Sequence, residues 1–154
     1  MPLILLPKEY DEIEKQFDPT DRVVVTTCAM CPVESGVYKK VREYAKKLSH
    51  KCKVVDIIEY PSGCIRNFLE EYKRRVLSKN PTAILVMDCD LAVELHKMLY
   101  PNLKVVGGLK TIGLGRIDPE EKVFELVVPF KGMENYRGLK LRLFEGDIIE
   151  GGGE

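Results

Sequence analysis

Residues 22–36, RVVVTTCAMCPVESG, carry the strongest structural signal in the chain. Val23 to Thr27 is a continuous β-branched run, which is typical of a strand buried on both faces of a parallel sheet. A Cys-x-x-Cys pair, Cys28 and Cys31, follows at once, and Gly36 closes the loop before an amphipathic stretch. These residues therefore predict a strand, a turn with two thiols and a helix in succession.

The same pattern of strand and helix recurs along the chain. Apolar runs at 54–58, 83–87 and 103–106 predict three more strands, and apolar stripes between them predict helices. Strands that alternate with helices indicate a parallel sheet with helices on its faces. Counting the Val23 strand as the first, we expect a flavodoxin- or Rossmann-like three-layer α/β fold with strand order 2-1-3-4.

The last third of the chain has a different character. Charged and apolar residues alternate at 122–128 and 139–144, which predicts half-exposed strands. At 154 residues the chain is expected to form a single domain. We divide it into an α/β core over 20–117, a C-terminal β extension over 118–150 and a tail over 151–154. The extension is expected to cover one sheet edge or to form a contact in a homo-oligomer.

Composition excludes several classes of partner. The 24 basic and 24 acidic residues cancel, so bulk charge points to no nucleic acid and no membrane. No signal-peptide pattern and no apolar run of transmembrane length is present. We therefore expect a cytoplasmic protein with reduced thiols, and the odd number of cysteines, five, agrees with that. The abundance of Lys, Arg and Glu is compatible with a thermophile.

Three cysteine-bearing loops are predicted to meet at one edge of the sheet. Cys28 and Cys31 follow the first predicted strand, Cys64 follows the second and Cys89 follows the third. Because parallel strands end at the same edge, the order 2-1-3 makes these loops neighbours. The four thiols are therefore expected to form one metal site. Cys52 lies at the opposite edge and is interpreted as a small buried hydrophobe.

Four thiolates bind either zinc or an iron–sulfur cluster. Structural zinc sites usually contain two close ligand pairs, whereas here one pair is joined by two single cysteines. Pro32, directly after Cys31, is typical of ferredoxin-type ligand runs. The pattern thus favours a [4Fe–4S] cluster, with Zn²⁺ as the alternative. Asp88 and Asp90 flank Cys89 and would add negative charge, so we expect them to point away from the site or to cap a helix.

Other interpretations of the same residues remain open. Cys28 and Cys31 alone also fit a thioredoxin-like dithiol oxidoreductase, although this leaves the other two predicted ligands as coincidence. Four unrelated core cysteines are a further possibility. His50 and His96 are isolated on predicted helices and are interpreted as surface or hydrogen-bonded residues. The sequence contains no Ser-His-Asp set, phosphate loop or dinucleotide-binding motif.

An ordered set of four motifs resembles a known family. The motifs are Cys28-x-x-Cys31-x-x-x-x-Gly36 after a strand, Pro61-Ser-Gly-Cys64, Ala83-Ile-Leu-Val-Met-Asp-Cys89, and Lys110-Thr-Ile-Gly-Leu-Gly115-Arg116. Together they cover most of residues 20–117. The set resembles the small, cysteine-containing subunit of two-subunit methylenetetrahydrofolate reductases of anaerobes, which also occurs as a C-terminal domain beside the reductase barrel.

The resemblance implies a Rossmann-like domain that binds an iron–sulfur cluster, or zinc, and exchanges electrons with a flavin on a partner reductase subunit. The implied ligands are Cys28, Cys31, Cys64 and Cys89. Many members of the family have a further cysteine at the position of Ser35 and a cysteine-rich C-terminal tail. This chain has neither, so one metal centre is expected.

On this basis the chain is expected to be a non-catalytic electron-transfer subunit that acts with a methylenetetrahydrofolate reductase-type flavoprotein in one-carbon metabolism. No folate- or flavin-binding residue is assigned. A zinc-stabilised interaction module is the remaining alternative.

Overall fold

The computed structural model describes residues 2–151 and contains two β-sheets. The elements, in chain order, are β1 (Leu3–Pro7), α1 (Tyr10–Glu14), β2 (Arg22–Cys28), α2 (Cys31–Glu34), α3 (Tyr38–Leu48), β3 (Lys53–Tyr60), α4 (Arg66–Ser78), β4 (Ala83–Met87), α5 (Asp90–Leu99), β5 (Lys104–Gly107), β6 (Leu109–Asp118), β7 (Val123–Pro129), a 3-10 helix (Glu134–Tyr136), β8 (Lys140–Arg142) and β9 (Ile148–Glu150). Strands β3-β2-β4-β5 form a parallel sheet, and β1-β6-β7-β8-β9 form an antiparallel sheet.

The two central strands of the parallel sheet, β2 and β4, are almost wholly buried. Continuous apolar runs are expected there, because both faces of these strands are covered. The register pairs Cys28 with Tyr60 and Thr27 with Met87, so that β2, β3 and β4 end side by side. The loops that follow these strands consequently lie at one edge of the sheet, which we call the carboxyl edge.

The helices cover this sheet with one apolar stripe each. Helix α3 packs against β2 and β3 and buries Val41, Tyr44 and Leu48, which are spaced three and four residues apart. Helix α5 packs against β4 and β5 and buries Ala92 and Val93, and it also contacts α4. The first turns of α2 and α5 are thereby placed at the carboxyl edge.

The prediction of a single flavodoxin-like three-layer sheet is wrong. Strand β6 does not join the parallel sheet and instead pairs antiparallel with β1 and β7 in a second sheet. The predicted C-terminal extension is therefore part of a second sheet that also contains β1. The chain crosses between the sheets at Gly108, whose N–H donates to the Val86 carbonyl at 2.9 Å and whose carbonyl accepts the Lys8 N–H at 3.0 Å. A Cβ at Gly108 would overlap the sulfur of Met87.

Strand β1 connects two apolar cores, because alternate side chains of a strand point to opposite faces. Leu5 packs into the main core around the parallel sheet, whereas Ile4 packs into a smaller core within the antiparallel sheet. The other buried members of the smaller core are Ile112, Phe124, Leu126, Leu139, Leu141 and Leu143.

No helix among residues 2–151 is long and apolar enough to cross a membrane. Of the predicted tail, only Gly151 belongs to the described residues, and the rest of that prediction lies outside them.

Candidate metal centre

All four predicted ligands lie in loops at the carboxyl edge, but at different depths. Cys28 is the last residue of β2, Cys31 is the first residue of α2, and Cys89 immediately precedes α5. Cys28 and Cys89 are each 4% exposed and Cys31 is partly buried, and we call these three the inner thiols. Cys64 is exposed, in the loop between β3 and α4.

The interpretation of Cys52 as a buried hydrophobe is confirmed. It lies at the opposite end of the sheet, is 7% exposed, and its thiol donates to the Leu48 carbonyl at 3.8 Å.

Cys28 accepts hydrogen bonds from two loops. The Gly63 N–H, from the loop after β3, donates to Cys28 Sγ at 3.2 Å, and the Met30 N–H donates at 3.4 Å. Such donors favour the thiolate, which is the form that binds metals. Burial nevertheless raises the pKa of Cys28 to about 11, and the nearby Asp88 carboxylate adds to the rise. The thiol is therefore protonated near neutral pH unless a cation compensates its charge.

The other two inner thiols have the same character. Burial raises the pKa of Cys31, and burial together with the Asp88 carboxylate raises the pKa of Cys89 to about 12. The Leu3 N–H offsets part of the rise at Cys31, and two N–H groups in the first turn of α5 do so at Cys89. Each inner thiol is thus buried or partly buried and faces backbone amides.

Asp88 is buried, contrary to the expectation from the sequence that it points away from the site. It is 2% exposed, and its Oδ1 accepts the Cys89 N–H at 2.7 Å. Its Oδ2 is buried without a hydrogen-bond partner among residues 2–151. Burial raises the pKa of Asp88 to about 6, although the backbone and side chain of Cys89 offset part of this rise. Its charge adds to the rise in pKa of all three inner thiols, and Cys64 adds to the rise in pKa of Cys31 and Cys89.

Gly63 provides the space that Asp88 occupies. A Cβ built on Gly63 would overlap Asp88 Oδ2 and would lie 3.4 Å from the Cβ of Cys28. The loop after β3, the turn after β2 and the turn after β4 therefore touch at this point.

Asp90 takes no part in the contact between Gly63 and Asp88, and its side chain is exposed, as expected from the sequence. Its N–H donates to Thr111 Oγ1 at 2.9 Å. The N-cap residue of α5 is Cys89, not Asp90.

Ser35 links the cysteine-bearing turn after β2 to strand β1 of the antiparallel sheet. It is fully buried, its Oγ accepts the Leu5 N–H at 3.0 Å, and its hydroxyl lies 3.3 Å from the Leu3 carbonyl. Ser35 thus has hydrogen-bonding partners in β1.

An aromatic cluster behind the site was not predicted from the sequence. Tyr60 is fully buried, and its ring centroid lies 5.2 Å from that of Tyr72 and 5.6 Å from that of His96. His96 is also fully buried and lies 2.6 Å from the Ala92 carbonyl and 3.1 Å from Thr26 Oγ1, so it is hydrogen-bonded within the core. The signal that could have revealed this cluster is the i, i+4 spacing of Ala92 and His96 on the apolar face of a short helix.

Within residues 2–151, no group of three or more His, Cys, Asp or Glu side chains lies in an arrangement that could hold a metal ion. No family model, curated protein or solved structure matches the chain.

Cysteine is the residue type at the carboxyl edge that could hold a thiophilic metal ion or an iron–sulfur cluster. Cysteine sulfur is the usual ligand of both. Cys28 and Cys89 are buried, Cys31 is partly buried, and the buried Asp88 carboxylate lies next to Cys89. A bound cation would offset the buried negative charge and would favour loss of the thiol protons.

Proposed function

We propose that this chain binds one thiolate-ligated metal centre, of which a [4Fe–4S] cluster is the favoured form. We further propose that it acts as an accessory electron-transfer subunit of a methylenetetrahydrofolate reductase-type flavoprotein. When bound, such a cluster accepts and releases single electrons. The protein's own residues supply the thiols, orient them with backbone N–H groups and limit the access of water.

The observation that carries the proposal is the placement of the four cysteines directly after β2, β3 and β4, at one edge of the parallel sheet, with the buried carboxylate of Asp88 next to Cys89. A hydrophobic core has no need of such an arrangement, because a buried carboxylate without full hydrogen bonding is unfavourable. Cys64, on the exposed side, is the fourth cysteine that the sequence predicts for the same centre.

Two exposed apolar side chains next to predicted ligands suit contact with a protein partner. Met30, directly before Cys31, is 53% exposed, and Ile65, directly after Cys64, is 46% exposed. Exposed apolar side chains around a site are typical of surfaces that associate with other proteins. A flavin on the partner would approach the centre from this side. The support for a reductase as that partner is the resemblance of the four sequence motifs.

A dithiol oxidoreductase is less well supported. Disulfide exchange needs a thiolate nucleophile, and reactive Cys-x-x-Cys motifs lower the pKa of that thiol. Here burial raises the pKa of both Cys28 and Cys31. At pH 7 a thiol with a pKa of about 11 is ionised in about one molecule in ten thousand.

Anaerobic reconstitution with ferrous iron and sulfide tests the proposal. We expect a brown protein with broad absorption near 400 nm and about four irons per chain. The Cys28→Ser and Cys31→Ser variants should lose most of this iron. Cys52→Ser is the matched control, because that buried cysteine lies at the other end of the sheet, and it should keep the iron.

Two results would contradict the cluster. Colourless protein that holds one tightly bound zinc per chain would favour the zinc-stabilised interaction module. Protein that binds neither metal, but whose Cys28 and Cys31 cycle rapidly between dithiol and disulfide, would favour the oxidoreductase.

A further inference from the structure

We propose that the turn between β8 and β9, residues 143–147, is a clamp that holds helix α2 and thereby restricts the reactivity of Cys31. The turn belongs to the antiparallel sheet, whereas α2 follows a strand of the parallel sheet. Two backbone contacts join them, a hydrogen bond and a close approach of two glycines. The clamp acts in the same way whether the carboxyl edge binds a metal or carries free thiols.

The hydrogen bond closes the end of α2. The Phe144 N–H donates to the carbonyl of Glu34, the last residue of the helix, at 3.0 Å. Carbonyl groups in the last turn of a helix have no partner within the helix, so Phe144 supplies one from outside. Phe144 does so with a φ of 65°, in the left-handed region, which is unfavourable for a residue with a side chain. The surrounding contacts therefore maintain this backbone conformation.

Gly36 and Gly146 face each other across the contact. Both have left-handed φ angles, of 73° and 82°. A Cβ on Gly36 would overlap the backbone of Glu145 and Gly146, and a Cβ on Gly146 would lie 2.8 Å from the Ser35 carbonyl oxygen, closer than packing allows. Only glycine combines such a φ with so close an approach of two backbones. Two glycines that are distant in sequence are therefore required at this single contact.

The clamp also fixes the beginning of α2, because the helix is a single turn. The Ser35 N–H donates to the Cys31 carbonyl at 2.9 Å, and the Gly36 N–H donates to the Val33 carbonyl at 3.0 Å. The Ser35 hydroxyl joins this turn to β1, and the clamp joins it to the hairpin of β8 and β9. A helix of four residues is unstable by itself in water, so loss of one attachment lets α2 unwind. Opening of the clamp therefore exposes Cys31, which is partly buried in the closed structure.

The clamp has the features of a segment that opens locally. Strand β9 is three residues long and fully exposed, and it pairs with β8 through Lys140 with Glu150 and Leu141 with Ile148. Within residues 143–147, Leu143 is the one buried side chain. Segments with few buried apolar contacts open at a lower free energy than the whole molecule. The clamp is therefore expected to open while both cores remain folded.

Alkylation of the native protein with iodoacetamide, followed by mass spectrometry of each cysteine, tests the control of Cys31. Exposed Cys64 is the internal reference, and Cys52 at the opposite end of the sheet reports whether the variant remains folded. In Gly146→Ala the new methyl group overlaps the Ser35 carbonyl and opposes closure of the clamp. Alkylation of Cys31 relative to Cys64 should then become faster by about tenfold or more, with Cys52 unchanged.

Gly138→Ala is the matched control. Gly138 has nearly the same φ as Gly146, 84° against 82°, but a Cβ at Gly138 meets nothing within 4 Å. The control variant therefore introduces the same backbone strain without the contact, and Cys31 should be alkylated as in the unmodified protein. Equal rates for Cys31 in the two variants would overturn the clamp.

Hydrogen exchange of the unmodified protein decides the matter even where Gly146→Ala does not fold. The Phe144 amide reports on the clamp, and the Ser35 amide, bonded to the Cys31 carbonyl, reports on α2. Both amides should exchange with the same opening free energy and the same dependence on denaturant, because they open together. Opening of either amide about tenfold or more often than the other would overturn the proposal, because the clamp and α2 would then move independently.

Discussion

At the scale of single residues, the contact between Gly63 and Asp88 shows how one missing side chain creates a site. Only a residue without a Cβ lets the loop after β3 approach the turn after β4 this closely. The same residue supplies the N–H that reaches Cys28. One glycine therefore both positions a sulfur and makes space for a carboxylate.

Substitution of this glycine should damage the site. In Gly63→Ala the new methyl group overlaps Oδ2 of Asp88, whose Oδ1 is fixed by the Cys89 N–H. We expect a loss of about 1–3 kcal/mol in the free energy of unfolding, together with weaker metal binding. Denaturant unfolding and metal titration measure the two effects. Ser62→Ala, one residue away, is the control, and equal affinities in the two variants would contradict the expectation.

His96 should make stability depend on pH. Burial lowers its pKa, so the folded state binds this proton less readily than the unfolded state, whose histidine titrates near pH 6.5. The stabilising effect is therefore present above about pH 6.5 and is lost as the pH falls, by up to about 1.4 kcal/mol per pH unit. Asp88 has the opposite effect on the pH dependence of the unfolding free energy. Because burial raises its pKa, the folded state binds its proton more readily than the unfolded state does.

Comparing histidine variants separates the contribution of His96 to the pH dependence of the unfolding free energy from that of Asp88. In His96→Gln the decrease in unfolding free energy between pH 7 and 5 should be smaller than in the unmodified protein. His50→Gln, an exposed histidine on the surface, should leave it unchanged. An identical pH dependence in all three proteins would show that His96 titrates alike in the folded and unfolded states.

At the scale of secondary-structure elements, β1 and α2 determine where Cys31 lies. Helix α2 is only four residues long, too short to be stable by itself, so it depends on its neighbours for position. Ser35 ties its end to β1 through the Leu5 N–H and the Leu3 carbonyl. The turn that carries Cys31 is therefore connected to β1 of the antiparallel sheet through a buried hydroxyl.

Ser35→Ala should loosen this connection. It leaves the buried Leu5 N–H without a partner, which costs about 1–3 kcal/mol. We also expect faster hydrogen exchange of the Leu5 amide and in α2. Ser78→Ala, whose hydroxyl donates to a helix carbonyl at an exposed position, should change the unfolding free energy by less than about 0.5 kcal/mol. Equal stability of the two variants would argue against the anchoring role.

Elements with strong local patterns were predictable from the sequence, and elements defined by distant partners were not. The β-branched run at Val23–Thr27 lies within β2, and the apolar run at Ala83–Met87 coincides with β4. In contrast, β1 pairs with β6, which is distant in sequence, so that Leu3 lies opposite Leu114. A five-residue apolar segment gives no indication of the strand with which it pairs. The orientation of Asp88 was missed for a similar reason, because it depends on the approach of Gly63 from another loop.

At the scale of the whole molecule, the two cores are joined by β1. Ile4 and Leu5 are adjacent and both fully buried, yet they belong to different cores. A single rigid strand that contributes to both cores should make them unfold together.

Truncation of either residue tests this coupling. Ile4→Ala and Leu5→Ala should each lower the free energy of unfolding by about 2–5 kcal/mol, because each leaves a cavity in a packed core. Far-ultraviolet circular dichroism and tyrosine fluorescence should still report one coincident transition. Val127→Ala, at a position 50% exposed on β7, is the control and should have little effect. Separate transitions in Ile4→Ala would show that the smaller core unfolds by itself.

The pairing of β1 with β6 also determines the order in which parts of the chain can fold during synthesis. Leu3 and Leu114 are partners, so β1 has no place in a sheet until the ribosome has released the first 118 residues of the chain. Until then Ser35 lacks a fixed partner, and Cys31 is not yet held beside Cys28 and Cys89. The nascent chain therefore contains its Cys-x-x-Cys pair long before β1 can pair with β6. The cysteine-bearing turn is expected to reach its final position only after the second sheet has closed.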